Sequence, residues 1–165
     1  MYKIIILMFI SVNIFAQEND IRISVCNPIL LNKNVSTFLF SNNFSFEIYY
    51  SNENSNKYIF EIMTENKEES KKSDYIDAAI KENADYLLYT EAFSIEKNIF
   101  VDVKLINLLT NEIVYFKYFT VFLDIEVNDN ISKMAISIIE DIQKLNLKKN
   151  FLFKKKENIS VGDIS

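Results

Sequence analysis

The side chains able to do chemistry in this sequence are mostly acids. Glu65, Glu68, Glu69, Asp124, Glu126 and Asp129 come in close groups, the raw material of glycoside hydrolysis or of a calcium site. They lie in charged stretches without the glycine turn that a calcium loop needs, so they read as solvated surface. The chain of 165 residues contains no His, which removes imidazole bases and His-containing zinc sites. Its one Gly is Gly162, which removes glycine-rich phosphate loops and the tight nucleophile elbow of hydrolases. Cys26 stands alone, so no intrachain disulfide can form, and its apolar neighbours mark it as a buried thiol rather than a reactive one. A net charge of −5 argues against a nucleic-acid partner. No motif implies a cofactor or a metal.

With the chemistry so thin, the elements carry the information. The opening run MYKIIILMFISVNIFAQ has Lys3, a short apolar stretch and Ala16, the layout of a secretory leader. It predicts residues 1–16 as a signal peptide cleaved after Ala16. Gln17 rather than Cys follows the cut, so a lipoprotein is not expected. The mature chain is then exported, periplasmic or secreted. Residues 17–146 form a single domain and residues 147–165 a basic, flexible tail.

Ile21–Leu31 reads as a first strand that Pro28 ends, because proline cannot donate to a ladder. Residues 34–56 fit two patterns. Alternation around Asn42-Asn43 suggests a hairpin, while Val35, Leu39, Phe46 and Tyr50 fit a helical stripe. Lys57–Met63 is a strand. Ser73 can cap a helix over Ile76, Ala79, Ile80 and Ala84. The last helix is the plainest element: Ile131, Ala135, Ile138, Ile139, Ile142 and Leu145 recur at three- and four-residue spacing, with Asp129 or Asn130 as the cap.

Between the helices, residues 84–119 read as two consecutive hairpins. Ile99, Val101, Val103 and Leu105 alternate with Phe100, Asp102, Lys104 and Ile106. Closing the first turn at Glu96-Lys97-Asn98 sets Ala92 beside Val101 and Thr90 beside Val103. Closing the second tightly, with Asn111 left-handed, sets Leu105 beside Phe116, Val103 beside Tyr118 and Val101 beside Thr120. The aliphatic face then seats the helices. The other face carries Tyr89, Phe93, Phe100, Ile106, Tyr115 and Phe119, with Glu91, Lys104 and Lys117 in line across it. A partly solvated face ringed with aromatics is a candidate partner-binding surface. In the tail, Lys148, Lys149, Lys154, Lys155 and Lys156 flank Phe151, Leu152 and Phe153, a candidate for weak contact with an anionic membrane.

The stretch ENADYLLYTEA, a strand, VDVKLINLLTNEIVYFKYF and a closing helix resemble the N-terminal domain of TolB, and are similar to the envelope domains of CsgG and LpoB. Ala84, Asp85 and Tyr86 match the helix-to-strand entry of that pattern. Leu105, Asn107, Thr110 and Asn111 stand in its turn, with Asn where the family has Asp and again where it has Gly. The resemblance covers about residues 57–146. It implies an α+β domain, a mixed, largely antiparallel β-sheet with helices packed on one face, working in the bacterial envelope by binding other proteins. It implies no catalytic residue. The expectation is a non-enzymatic exported envelope module with a protein partner. The alternative is a hydrolase that acts on envelope glycans with carboxylates alone.

Overall fold

The computed structural model describes residues 20–52, 57–63, 71–124 and 126–150. The expected leader, Lys154, Lys155 and Lys156, and Glu65, Glu68 and Glu69 lie outside the described residues. The elements are β1 (Arg22–Val25), β2 (Ile29–Leu30), α1 (Val35–Ser51), β3 (Ile59–Ile62), α2 (Lys72–Lys81), β4 (Tyr86–Ile95), β5 (Asn98–Asn107), β6 (Ile113–Phe122) and α3 (Val127–Lys144). The strands form one mixed sheet in the order β3-β1-β4-β5-β6. β1 runs parallel to β3 and β4, while β4, β5 and β6 form an antiparallel meander. Pro28 interrupts the first strand as its missing N–H requires. Pairing then resumes in β2, parallel to β4, with Ile29 beside Glu91. This is the α+β class expected.

The ambiguous segment is helical, not a hairpin. Asn34 accepts a bond from the Thr37 N–H at 3.0 Å, and Thr37 Oγ1 accepts from the Asn34 N–H at 3.1 Å. This reciprocal cap starts α1. The stripe it buries is Phe40, Phe44 and Ile48, four residues apart and fully shielded. Leu39, Phe46 and Tyr50, which fit a helical stripe by spacing, are instead exposed. Apolar and polar residues are both scattered round this helix, so periodicity alone could not choose its inner side.

Two other helix starts differ from expectation. α2 begins at Lys72, where Asp74 accepts from the Lys71 N–H at 2.8 Å, and Ser73 lies inside the helix. α3 begins at Val127, two or three residues before the caps expected at Asp129 and Asn130, with Asp124 accepting from the Glu126 N–H. In a chain with almost no glycine, Asn takes over the left-handed positions. Asn83 ends α2 at φ 59° and Asn111 turns the second hairpin at φ 59°. Glu96 turns the first hairpin at φ 54°.

α1 and α3 cover one face of the sheet. Phe40, Phe44 and Ile48 of α1 and Ile131, Ala135, Ile138, Ile139 and Ile142 of α3 bury Ile99, Val101, Val103 and Leu105. α2 sits on the opposite face, where Tyr75, Ala78 and Ala79 pack with Leu87, Tyr89, Ile106 and Leu108. The expected single helical layer therefore holds for two of the three helices. Among the described residues, α2 covers only the β1–β4 side of its face, and none roofs the outer side of the meander.

Candidate functional site

The first hairpin has the register expected: Thr90 pairs with Val103 and Ala92 with Val101. The second does not. Leu105 pairs with Tyr115, Val103 with Lys117 and Val101 with Phe119, because a bulge between Leu105 and Ile106 absorbs one residue. The turn is also wider than a tight hairpin. Asn107 Oδ1 accepts from Leu109 N–H at 2.8 Å and Thr110 N–H at 3.2 Å, and the chain closes where Asn107 N–H meets the Glu112 carbonyl. A one-residue slip moves every β6 side chain to the other face.

Five residues expected on the surface move as a result, or are covered. Tyr115 and Phe119 lie on the helical face, against the main core. Tyr115 Oη donates to Asp141 at 3.3 Å, and burial with the Asp141 charge holds its pKa well above the usual phenol value. Lys117 does not line up with Glu91 and Lys104. Its Nζ donates to Asp141 at 2.7 Å and to Ser137 at 2.9 Å on α3, and it lies over the Phe119 ring. Tyr89 and Ile106 are on the outer face but buried beneath α2, with the Tyr75 ring edge-on to Tyr89 at 6.2 Å.

What remains open is a different aromatic surface. Phe93 and Phe100 pair across β4 and β5 with rings stacked 5.1 Å apart. The Phe100 ring stacks in turn on Tyr118 of β6 at 6.3 Å. Phe116 and Phe122 flank Tyr118 on the same face and are each 57% exposed. Exposed Ile95 and Ile113 sit at the ends of β4 and β6. At the margin towards α2, Lys104 pairs with Glu91 at 2.6 Å, and Tyr89 Oη donates to the same carboxylate at 3.3 Å. This surface is an apolar strip crossed by a small charged cluster, in which Lys104 neutralises Glu91 while Asp102, opposite both Glu91 and Tyr118, adds a second carboxylate. Its rings can exclude water against an apolar partner. The sequence reading missed Phe116, Tyr118 and Phe122. Pairing outward from the turn at 108–111 would have found them only if the bulge were known.

The other groups with chemical potential are structural. Cys26 is fully buried, bonds to the Leu88 carbonyl, and burial pushes its thiol up to about 12, so it stays protonated. Asp85 is buried and accepts from Arg22 N–H at 2.9 Å, Lys149 Nζ at 2.9 Å and Asn150 N–H at 2.8 Å. This is the acid of the Ala84-Asp85-Tyr86 match. Tyr58 Oη donates to the Leu145 carbonyl, and Tyr86 Oη to the Lys148 carbonyl at 2.9 Å. The chain from 145 to 150 is thus strapped over the sheet end, and packing continues to Asn150, past the boundary expected at 146. Lys149, expected to meet a membrane, is engaged by Asp85, whereas Lys148 is exposed. A cleft of about 280 Å³ under this strap is lined by Tyr86, Asn107, Val114, Leu145, Asn146, Leu147 and Lys148, without a carboxylate or thiol. Asp124, Glu126 and Asp129 are exposed around the start of α3. Among the described residues no three His, Cys, Asp or Glu side chains converge to hold a metal, and no helix is long and apolar enough to cross a membrane.

No protein-family model and no curated protein sequence matches the chain. Similar solved structures exist. PelC of Paraburkholderia phytofirmans, solved as a dodecamer, aligns with a TM-score of 0.50 at 10% identity, over 75% of this chain and 88% of its own. TolB of Acinetobacter baumannii aligns at 0.49 and 9% identity, over 74% of this chain and 27% of its own. The LpoB C-terminal domain of Escherichia coli aligns at 0.48 and 15% identity, over 62% and 83%. At such identities the likeness to PelC is one of fold alone, and the α+β architecture expected from the sequence is the one its strands and helices form.

Proposed function

We propose that the chain is an exported, non-enzymatic envelope module that binds a protein through the open outer face and free edge of the β4–β5–β6 meander. The observation that carries this reading is the stacked run Phe93–Phe100–Tyr118 with Phe116 and Phe122 exposed beside it. Aromatic rings held on a rigid sheet give large contact area at small entropic cost, and such anchors dominate interface energies. The adjoining edge strand adds main-chain donors and acceptors for an incoming strand. Export is proposed to run through residues 1–16 and to leave an unlipidated Gln17 at the N-terminus; the mass of the mature chain tests this separately.

Photo-crosslinking in intact cells tests the contact surface. A crosslinking amino acid placed at 116, on the open face, is expected to give a discrete adduct with one protein. The same group at 133, on the exposed side of α3, is expected to give none. Equal yields from both positions, or none from 116, would contradict the reading.

A further inference from the structure

We infer that β6 pairs, antiparallel and about a twofold axis through Tyr118, with the β6 of a second copy of this chain. The inference rests on the reading of this region as a contact surface and deepens it by naming the partner.

Among the described residues no strand pairs with the outer edge of β6, and that edge is built for such a pairing. Leu123 N–H bonds the Lys97 carbonyl across the hairpin, so by strand alternation the odd residues of β6 turn their main-chain groups to β5. The even residues Phe116, Tyr118, Thr120 and Phe122 turn theirs to the open edge. Edges of this length are usually guarded by proline, by bulges or by outward charge. Here the run from Tyr115 to Phe122 has no proline, and the bulge lies before it. The one charged residue, Lys117, folds its ammonium onto Asp141 and Ser137 instead of across the edge.

Symmetry and the 10-residue length of β6 together narrow the register, since only an axis at 117 or 118 keeps nearly the whole strand paired. A twofold axis normal to the sheet keeps α3 of both copies on the same side, so residues that pair must share a face and their numbers must sum to an even value. Pairing Lys117 with the partner's Lys117 would set two ammonium groups side by side, which is destabilising. Pairing Tyr118 with the partner's Tyr118 avoids this. It sets Phe116 beside the partner's Thr120 and Lys117 beside the partner's Phe119, a cation-on-ring contact of the kind each chain already makes internally at 5.1 Å. The exposed rings of the two copies then join into one apolar strip. β6 supplies 10 residues a side. That is well under the roughly 20–30 of a standard interface, so the dimer is weak and depends on concentration. Each chain carries −5, so added salt relieves repulsion and strengthens it.

Sedimentation velocity of protein purified from cells expressing the full sequence, from about 1 to about 200 µM, spans the affinity expected of so small a contact. The wild-type chain should shift from monomer to dimer across that range. Tyr118→Lys and Tyr118→Glu should each remain monomeric, and an equal mixture of the two should recover the dimer, because only this register places 118 against itself. Thr120→Pro deletes an outward N–H and no bond to β5; it should be monomeric with an unchanged thermal melt, and it serves should the Tyr118 variants fold poorly. A wild-type chain monomeric throughout, variants that dimerise as wild type does, or a mixture that stays monomeric would overturn the pairing. If the wild type stays monomeric while position 116 still crosslinks a different protein, the pairing fails and the contact-surface reading stands. If there is neither dimer nor adduct, both fail.

Discussion

Phe116 and Phe119 sit three residues apart on one strand and have different surroundings. Phe119 packs against the main core beneath the Lys117 ammonium, on the side roofed by α1 and α3. Phe116 stands on the bare side, 57% exposed. Both faces of the meander are apolar; one is roofed by α1 and α3, the other only where α2 crosses Tyr89 and Ile106. Composition therefore does not separate core from contact surface here. Register does, and register depends on a single bulge between Leu105 and Ile106. On this account the roofed face holds the fold together and the bare face is free to meet a partner.

The comparison predicts a graded series of effects. The largest belongs to the roof. Ile138 is fully buried, whereas Ile136, two residues away on α3, is 46% exposed. Ile138→Asp places an unpaired charge in the core, a cost of several kcal/mol out of a total stability of about 5–15 kcal/mol, so the variant should be largely unfolded. Ile136→Asp should melt close to wild type. Equal melting temperatures would mean the helical face is assigned wrongly.

Next comes the strap that closes the sheet end. Asp85→Ala leaves the Arg22 and Asn150 N–H groups without their acceptor and frees Lys149. The expected loss is about 3 kcal/mol in denaturant unfolding, between that of a lost neutral bond and that of a broken buried ion pair. Release of the strap should also make residues 145–150 the first site of proteolysis. An unchanged cleavage pattern would argue that the segment is held by other contacts.

On the bare face the effect should be small. Replacing Phe116, Tyr118 and Phe122 together with Thr keeps strand propensity, and at sub-micromolar concentration the triple variant should lie within about 1 kcal/mol of wild type. A loss as large as that from the single core change Leu105→Ala, about 2–5 kcal/mol, would mark these rings as structural.

The smallest effect concerns acid. The hydrogen bond from Lys117 holds the Asp141 carboxyl below its ordinary value of 3.8. A carboxylate with a lowered folded pKa adds stability above its unfolded pKa and loses it as pH falls through the folded value. Lys117→Met removes that contribution, so its acid-unfolding midpoint should rise by a fraction of a pH unit. Because Asp141 is partly exposed, a large shift would point to an additional role for Lys117 in packing.

How much of this was legible follows from where each signal resides. The closing helix was readable because its apolar stripe is clean: Ile131, Ala135, Ile138, Ile139 and Ile142 are all buried as their spacing requires. The first hairpin was readable because its turn is only two residues long and fixes the register. α1 was not, since Phe40, Phe44 and Ile48 compete with Leu39, Phe46 and Tyr50 for the same role, and only tertiary packing decides. Tyr89 and Ile106 read as surface in the sequence because nothing local announces that α2 crosses over them. The Asp85 site joins residues 65 apart and has no local signature. Tyr115 and Phe119 were placed on the wrong face by one residue of register, an error that local pattern cannot detect because both parities of β6 are aromatic.

The central claim is that these two parities have different burdens, and the most direct test stays within β6. Phe116→Ala and Phe119→Ala should be compared by denaturant unfolding at sub-micromolar concentration. Phe119→Ala should lose roughly 1–3 kcal/mol, less than the 3–5 of a fully buried Phe because its ring is only partly covered, and Phe116→Ala should lose well under 1. Equal losses, or a larger loss at Phe116, would contradict the register and with it the assignment of the bare face as a contact surface.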